Sequence, residues 1–132
     1  MTLYKLYLII NPLAEWNVDE HGTAKGRSHF ADFVAALADR KDLKDAAVLV
    51  GALRVLGNRL REPRSKSLDG GLFELRGTRV RIYYGFLPGR RAVLLGGYVK
   101  KRTDTPSHML RLMRTRLKEA QDEDQESRTR TA

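Results

Sequence analysis

The stretch Arg79-Val80-Arg81-Ile82-Tyr83-Tyr84-Gly85-Phe86-Leu87 decides the fold. In an extended chain, successive side chains alternate between faces, so Val80, Ile82, Tyr84 and Phe86 share one face while Arg79, Arg81, Tyr83 and Gly85 share the other. The first set reads as core and the second as a basic, aromatic surface. Turn-forming pairs flank this run: Gly70-Gly71, Gly77-Thr78 and Pro88-Gly89 separate residues 72–76, 79–87 and 91–100. Three short runs joined by such turns predict an antiparallel meander.

Outward from the meander the period changes. Ser28 can cap a helix reaching about Arg40, because Phe30, Phe33, Val34 and Leu37 recur at helical spacing. Asp42 caps a second helix in this reading. Its buried stripe is Ala46, Leu49, Val50, Leu53, Leu56 and Leu60, its exposed side carries Arg54 and Arg61, and Pro63 ends it. Upstream, residues 3–10 form an apolar run that Asn11-Pro12 stops, a first strand; residues 13–26 are polar and irregular, and leave the role of Trp16 open between core plug and partner anchor. Downstream, Thr105 before Pro106 starts a last helix through Met109, Leu110, Met113 and Leu117. Residues 119–132 are acidic, with no apolar side chain larger than alanine, and read as a frayed helix end and a disordered tail. The plan is α+β: a compact antiparallel sheet with an N-terminal helix pair and a C-terminal helix, helices on one face and the other face at least partly open. The expected organisation is a single domain over residues 1–118 and a tail over 119–132.

A chain of 132 residues with 42% hydrophobic content fills one ordinary core. The absence of cysteine excludes disulfides and thiolate metal sites, and suits a reducing cytosol. His21, His29 and His108 stand apart in sequence with no HExxH pattern, so no metal site is expected. The apolar runs 6–10 and 92–95 are too short to cross a bilayer. Net charge is +9, and its placement is informative: residues 1–50 carry −1, residues 51–118 carry +13 and residues 119–132 carry −3. A basic excess in one segment is the footprint of a phosphate-binding surface, since Lys and Arg bind nucleic acid by releasing its counterions.

Arg79, Arg81 and Tyr83, with the run Lys100-Lys101-Arg102, combine forked phosphate donors with an aromatic ring. This chemistry suits an unpaired RNA segment. Cleaving RNA without a metal further needs a base for the 2′-hydroxyl, cations for the phosphorane and an acid for the leaving oxygen. The basic cluster supplies the cations. His108, Tyr83, Tyr84 and Tyr98 are the candidates for proton transfer, and the sequence leaves open which of them faces the site.

Four pieces then carry a resemblance: Lys66-Ser-Leu-Asp-Gly-Gly-Leu-Phe-Glu-Leu-Arg76, Arg81-Ile-Tyr-Tyr84, Leu94-Leu-Gly-Gly-Tyr-Val-Lys-Lys101 and Thr105-Pro106. In this order and spacing the segment resembles the HigB/RelE-like toxins of bacteria and phages, in particular the HigB-like, phage-derived subgroup. The resemblance implies a compact RelE-like fold and a type II toxin, an endoribonuclease that cuts mRNA in the ribosomal A site without metal or other cofactor, in the cytoplasm. It also implies a partner, a small helix-turn-helix antitoxin encoded beside it. Carried over by position, Arg76 and Arg81 match the arginines of the family's sheet, Lys100 and Lys101 its basic run, and Lys66 the lysine ahead of its Gly-Leu-Phe/Trp-Glu-Leu-Arg motif. The chain departs from the pattern at Gly96, where the subgroup often has His, at Glu74, where relatives have Lys, and near His108, where relatives have Tyr. The expected catalytic set is thus Arg81, Arg76, Lys101, His108 and Tyr83, and the expected RNA-binding set Lys66, Arg79, Lys100 and Arg102.

Plainer readings stand beside these. Arg76 is placed to pair with Glu74 or Asp69, residues 100–102 suit a charged strand end, and His108 suits a surface histidine on a first helical turn. A non-catalytic nucleic-acid-binding protein using the same face, or a toxin with another target, fits the same charge pattern.

Overall fold

A computed structural model describes residues 15–101 and 106–131 of the chain. Its strands are β1 (Asn17–Glu20), β2 (Ser65–Ser67), β3 (Phe73–Arg76), β4 (Val80–Leu87) and β5 (Arg91–Val99), and its helices are α1 (His29–Ala35), α2 (Arg40–Leu56) and α3 (Ser107–Thr131). The strands form one sheet in the order β1-β5-β4-β3-β2. The expected meander is its centre, with β3, β4 and β5 antiparallel in sequence. The α+β class is as expected, whereas the strand expected over residues 3–10 lies outside the described residues.

The helical boundaries follow from competition between caps. Ser28 caps α1 by accepting from the Ala31 amide at 3.0 Å. The helix stops at Ala35 rather than near Arg40, because Asp39 is taken as the cap of α2: its carboxylate accepts from the Lys41 amide at 2.7 Å. Asp42, expected to be that cap, is instead a buried residue inside α2. Gly57, at φ +51°, ends α2 six residues before Pro63. No side chain fits there, since a Cβ would overlap the Trp16 indole. Trp16 meets Phe86 edge-on at 5.5 Å between centroids and lies under the Arg90 guanidinium, so it plugs the core edge.

Two strands were not legible. Residues 17–20 look polar and irregular but pair in parallel with β5, Asn17 opposite Arg91 and Glu20 opposite Leu94. Ser65–Ser67 pairs with β3 and forms the other edge. Both are short edges whose composition records no alternation, which is how sheets blunt their edges.

The larger correction concerns the open face. On one side of the sheet Val80, Ile82 and Tyr84 join Phe30, Val50, Leu53 and Leu75 beneath α1 and α2. On the other, Tyr83, Leu87, Val93 and Leu95 are buried with Met113, Leu117 and Ala120 of α3. Helices therefore cover both faces, and Tyr83 is fully buried. The alternation of β4 was read correctly in direction; what it could not show was that α3 crosses the second face. Glycine permits that close crossing: a Cβ at Gly85 would overlap Leu117, and one at Gly96 would crowd Met113 and Arg116.

The same contact overturns the expected disorder of the tail. α3 continues unbroken to Thr131, docked by Ala120 in the apolar cluster, by Arg91 on Asp124 and by the His21–Glu119 pair. Lys118–Asp122, Arg128–Asp124 and Arg130–Glu126 pairs along the helix add local support. Replacing Leu117 by Ala should cost about 2–5 kcal/mol in urea unfolding, through lost burial and a cavity over Gly85. A loss below about 1 kcal/mol would show that α3 does not depend on that contact.

Candidate nucleic-acid interface

Register builds the site. Residues directly opposite across strands share a face, so two rows form beside each other on the α3 side of the sheet. One row is Lys66, Glu74, Tyr83 and Gly96; the next is Arg76, Arg81 and Tyr98. α3 covers the first row at Tyr83 and Gly96. Met109 and Leu110 of its opening turns and the half-buried Tyr98 pack against the same buried cluster. The second row lies at the margin of that cover, and Arg76 and Arg81 are both half-buried there.

Each arginine is held by one part of its guanidinium. Arg76 donates from Nε to Glu74 Oε1 at 2.8 Å, and its terminal nitrogens have no protein partner among the described residues. Arg81 donates from Nη1 to the Gly77 and Val80 carbonyls at 2.7 and 3.0 Å, while Nη2 is uncommitted and Nε is buried without a partner among the described residues. Anchored guanidiniums with unused nitrogens can take an anionic ligand at little further ordering cost. Glu74 is the group the sequence undervalued. It is 2% exposed, so a carboxylate sits beneath the basic face and needs Arg76 as counter-ion. The ion pair with Glu74, rather than Asp69, is the one formed.

The other expected residues divide. Tyr98 is the tyrosine beside Arg81, whereas Tyr84 lies on the opposite face, hydrogen-bonded to Ser65 Oγ, with its hydroxyl pKa pushed up by burial. Lys66 is exposed on the edge strand across from Glu74, Lys100 is half-buried and Lys101 exposed. His108 is exposed on the first turn of α3 and makes no hydrogen bond to Arg76 or Arg81. Arg102 lies outside the described residues.

Arg79 is a correction. It precedes the first residue of β4, so the strand's alternation does not govern it, and its Nη2 turns to Asp42 Oδ2 of α2 at 2.6 Å with Asp39 behind at 3.6 Å. That hydrogen bond, then the Asp42 charge, hold its pKa above the ordinary arginine value. Arg79 therefore belongs to the sheet–helix junction and not to the row of Arg81. The pairing was invisible in sequence because the two residues are 37 positions apart.

A second polar cluster joins residues that sequence spacing held apart. Gly22 and Ser28 bridge the loop after β1, and the His29 amide donates to the His21 carbonyl at 3.0 Å, which brings the two imidazoles to 5.5 Å between centroids. His21 Nε2 lies 3.2 Å from Glu119 Oε2, and its Nδ1 lies 3.9 Å from Glu123 Oε2. Burial, then the Arg116 and His21 charges, hold the pKa of His29 below its ordinary value. Two histidines that stand apart in sequence thus come together, one of them against carboxylates.

The profile of the phage-derived Gp49-like proteins (DUF891) matches residues 32–118, a span that runs from α1 through both rows into α3. The chain belongs to this family, which is known for toxins of toxin–antitoxin systems of the HigB/RelE-like type. No curated protein matches the chain. No helix among the described residues is long and apolar enough to cross a membrane.

Truncating Arg76 to Ala should destabilise the fold by roughly 1–3 kcal/mol, because Glu74 is left buried without its counter-ion. Adding Glu74→Gln to that variant should restore most of the loss in denaturant titrations. Equal stability of Arg76→Ala and wild type would show that the carboxylate is not carried by this pair.

Proposed function

We propose that this chain is the toxin of a type II toxin–antitoxin system and acts as an endoribonuclease on mRNA bound to the ribosome. The reading is supported most by the row Arg76, Arg81 and Tyr98, two anchored guanidiniums with unused donors and a tyrosine hydroxyl beside them, in a chain of a toxin family. Arg81 and Arg76 hold the scissile phosphate and stabilise charge on the phosphorane. Tyr98 and His108 are the groups for proton transfer, while Lys66, Lys100, Lys101 and Arg102 track the RNA backbone. Tyr83, buried under α3, supports the row from beside it rather than touching RNA. The cleavage proposed needs no metal, proceeds by attack of the 2′-hydroxyl and leaves a cyclic phosphate on the 5′ fragment. The proposed setting is the cytoplasm, and the proposed partner is a small helix-turn-helix antitoxin.

The exposed His108, with no hydrogen bond to either arginine, favours one other reading: a protein that binds RNA on the same face without cutting it. Both are tested by adding the purified chain to translating ribosomes and mapping mRNA ends. Wild type should give fragments with cyclic phosphate ends. Arg81→Ala should slow their appearance by about 100-fold or more, in the range for loss of one preorganised donor to a transition state. Arg79→Ala should leave the rate within about threefold, since that guanidinium is committed to Asp42. Intact mRNA together with salt-dependent binding that Arg81→Ala weakens would establish the non-catalytic reading instead.

A further inference from the structure

Midway along α3, the helix and the loop after β1 place three ligand-bearing side chains together. His21, Glu119 and Glu123 each offer one nitrogen or oxygen, and these atoms lie within 4.8 Å of one another. We propose that they form a binding site for one divalent transition-metal ion of the zinc type.

The ligand set has the right chemistry. Imidazole with carboxylate oxygens is a zinc donor set, and bonds of about 2.0–2.2 Å place tetrahedral ligand atoms roughly 3.3–3.6 Å apart. Small rotations of two exposed carboxylates close the present spacing to that range. Glu119 and Glu123 stand one turn apart on α3, at the spacing that aims two helix side chains at a single point. His21 is the fixed member: its side chain is 2% exposed, against 53% and 67% for the two carboxylates. An ion here meets one ordered ligand and two that swing in.

Charge around the cluster also suits a cation. Asp19 and Asp124 are held by Arg91, and Glu20 accepts from the Ser28 hydroxyl. Among the described residues Glu119 and Glu123 lie within 4 Å of the His21 imidazole and of no lysine or arginine nitrogen, and Arg116 is close enough to act on Glu119 through its charge. Two carboxylates facing one imidazole carry about the charge that a divalent ion neutralises. Beside them opens a cleft of about 220 Å³ lined by Asp19, Glu20, Gly22 and Asp124, room for the water that completes the coordination. The arginine row crosses β5 at Tyr98, four residues past Leu94, whose carbonyl accepts from the His21 amide, so this ion is no part of the proposed RNA cleavage. It ties the second half of α3 to the loop that joins β1 to α1.

The test uses the untagged full chain, stripped with chelator and titrated with ZnCl₂ by calorimetry and by thermal unfolding. One equivalent should bind, and saturation should raise the melting temperature, because metal bound to the native state alone stabilises it. The double variant Glu119→Gln/Glu123→Gln, which changes two exposed side chains and keeps the fold, should weaken binding by at least about tenfold and abolish the thermal shift. His108→Ala should change neither. Absence of zinc binding by the wild-type chain, or undiminished binding by the double variant, overturns the site.

Discussion

Everything on the functional face depends on how α3 lies across the sheet. Leu117 fits over Gly85 and Met113 over Gly96, so the helix sits closer than any strand bearing side chains at those positions would allow. That contact buries Tyr83, Leu87, Val93 and Leu95, and turns a half-open sheet into a layer covered on both faces. It leaves the two arginines of the second row outside that cover. Arg76 and Arg81 remain half-buried beside the apolar cluster that α3 covers, and the site is the part of the face that the helix leaves.

The charge count and the free charge differ for the same reason. Residues 51–118 carry +13, yet several of those arginines are engaged internally. Arg79 is taken by Asp42 and Asp39, Arg91 by Asp19 and Asp124, Arg90 by Glu15, and Arg114 by the Leu68 and Asp69 carbonyls. Arg76, Arg81 and the lysines around them are among those that remain for a polyanion. Even Arg76 is shared with Glu74, so the face presents oriented donors more than bulk positive charge.

Much of the fold was legible because its signals are local. The alternation of β4, the glycine turns, the Ser28 cap and the helical stripes each need only a few neighbouring residues. The misreadings involve partners far apart in sequence. β1 is a strand only because β5 lies beside it, Asp39 outcompetes Asp42 only in the folded turn, and the last helical turns persist because Arg91 and His21 reach them. The site divides likewise. The alternation implied the face of Arg81 alone, while its grouping with Arg76 and Tyr98, the burial of Glu74 and the loss of Arg79 to α2 depended on pairing and tertiary contacts that no periodicity records.

The central claim is that RNA engages the α3 side of the sheet along the row of Arg76, Arg81 and Tyr98. An amide chemical-shift titration of the 15.0 kDa chain with a short single-stranded RNA tests it directly. Changes should concentrate at Arg76, Arg81, Tyr98 and Lys100 and shrink as salt rises. Changes centred instead on the opposite face, around Phe73, Tyr84 and Phe86, would contradict the account.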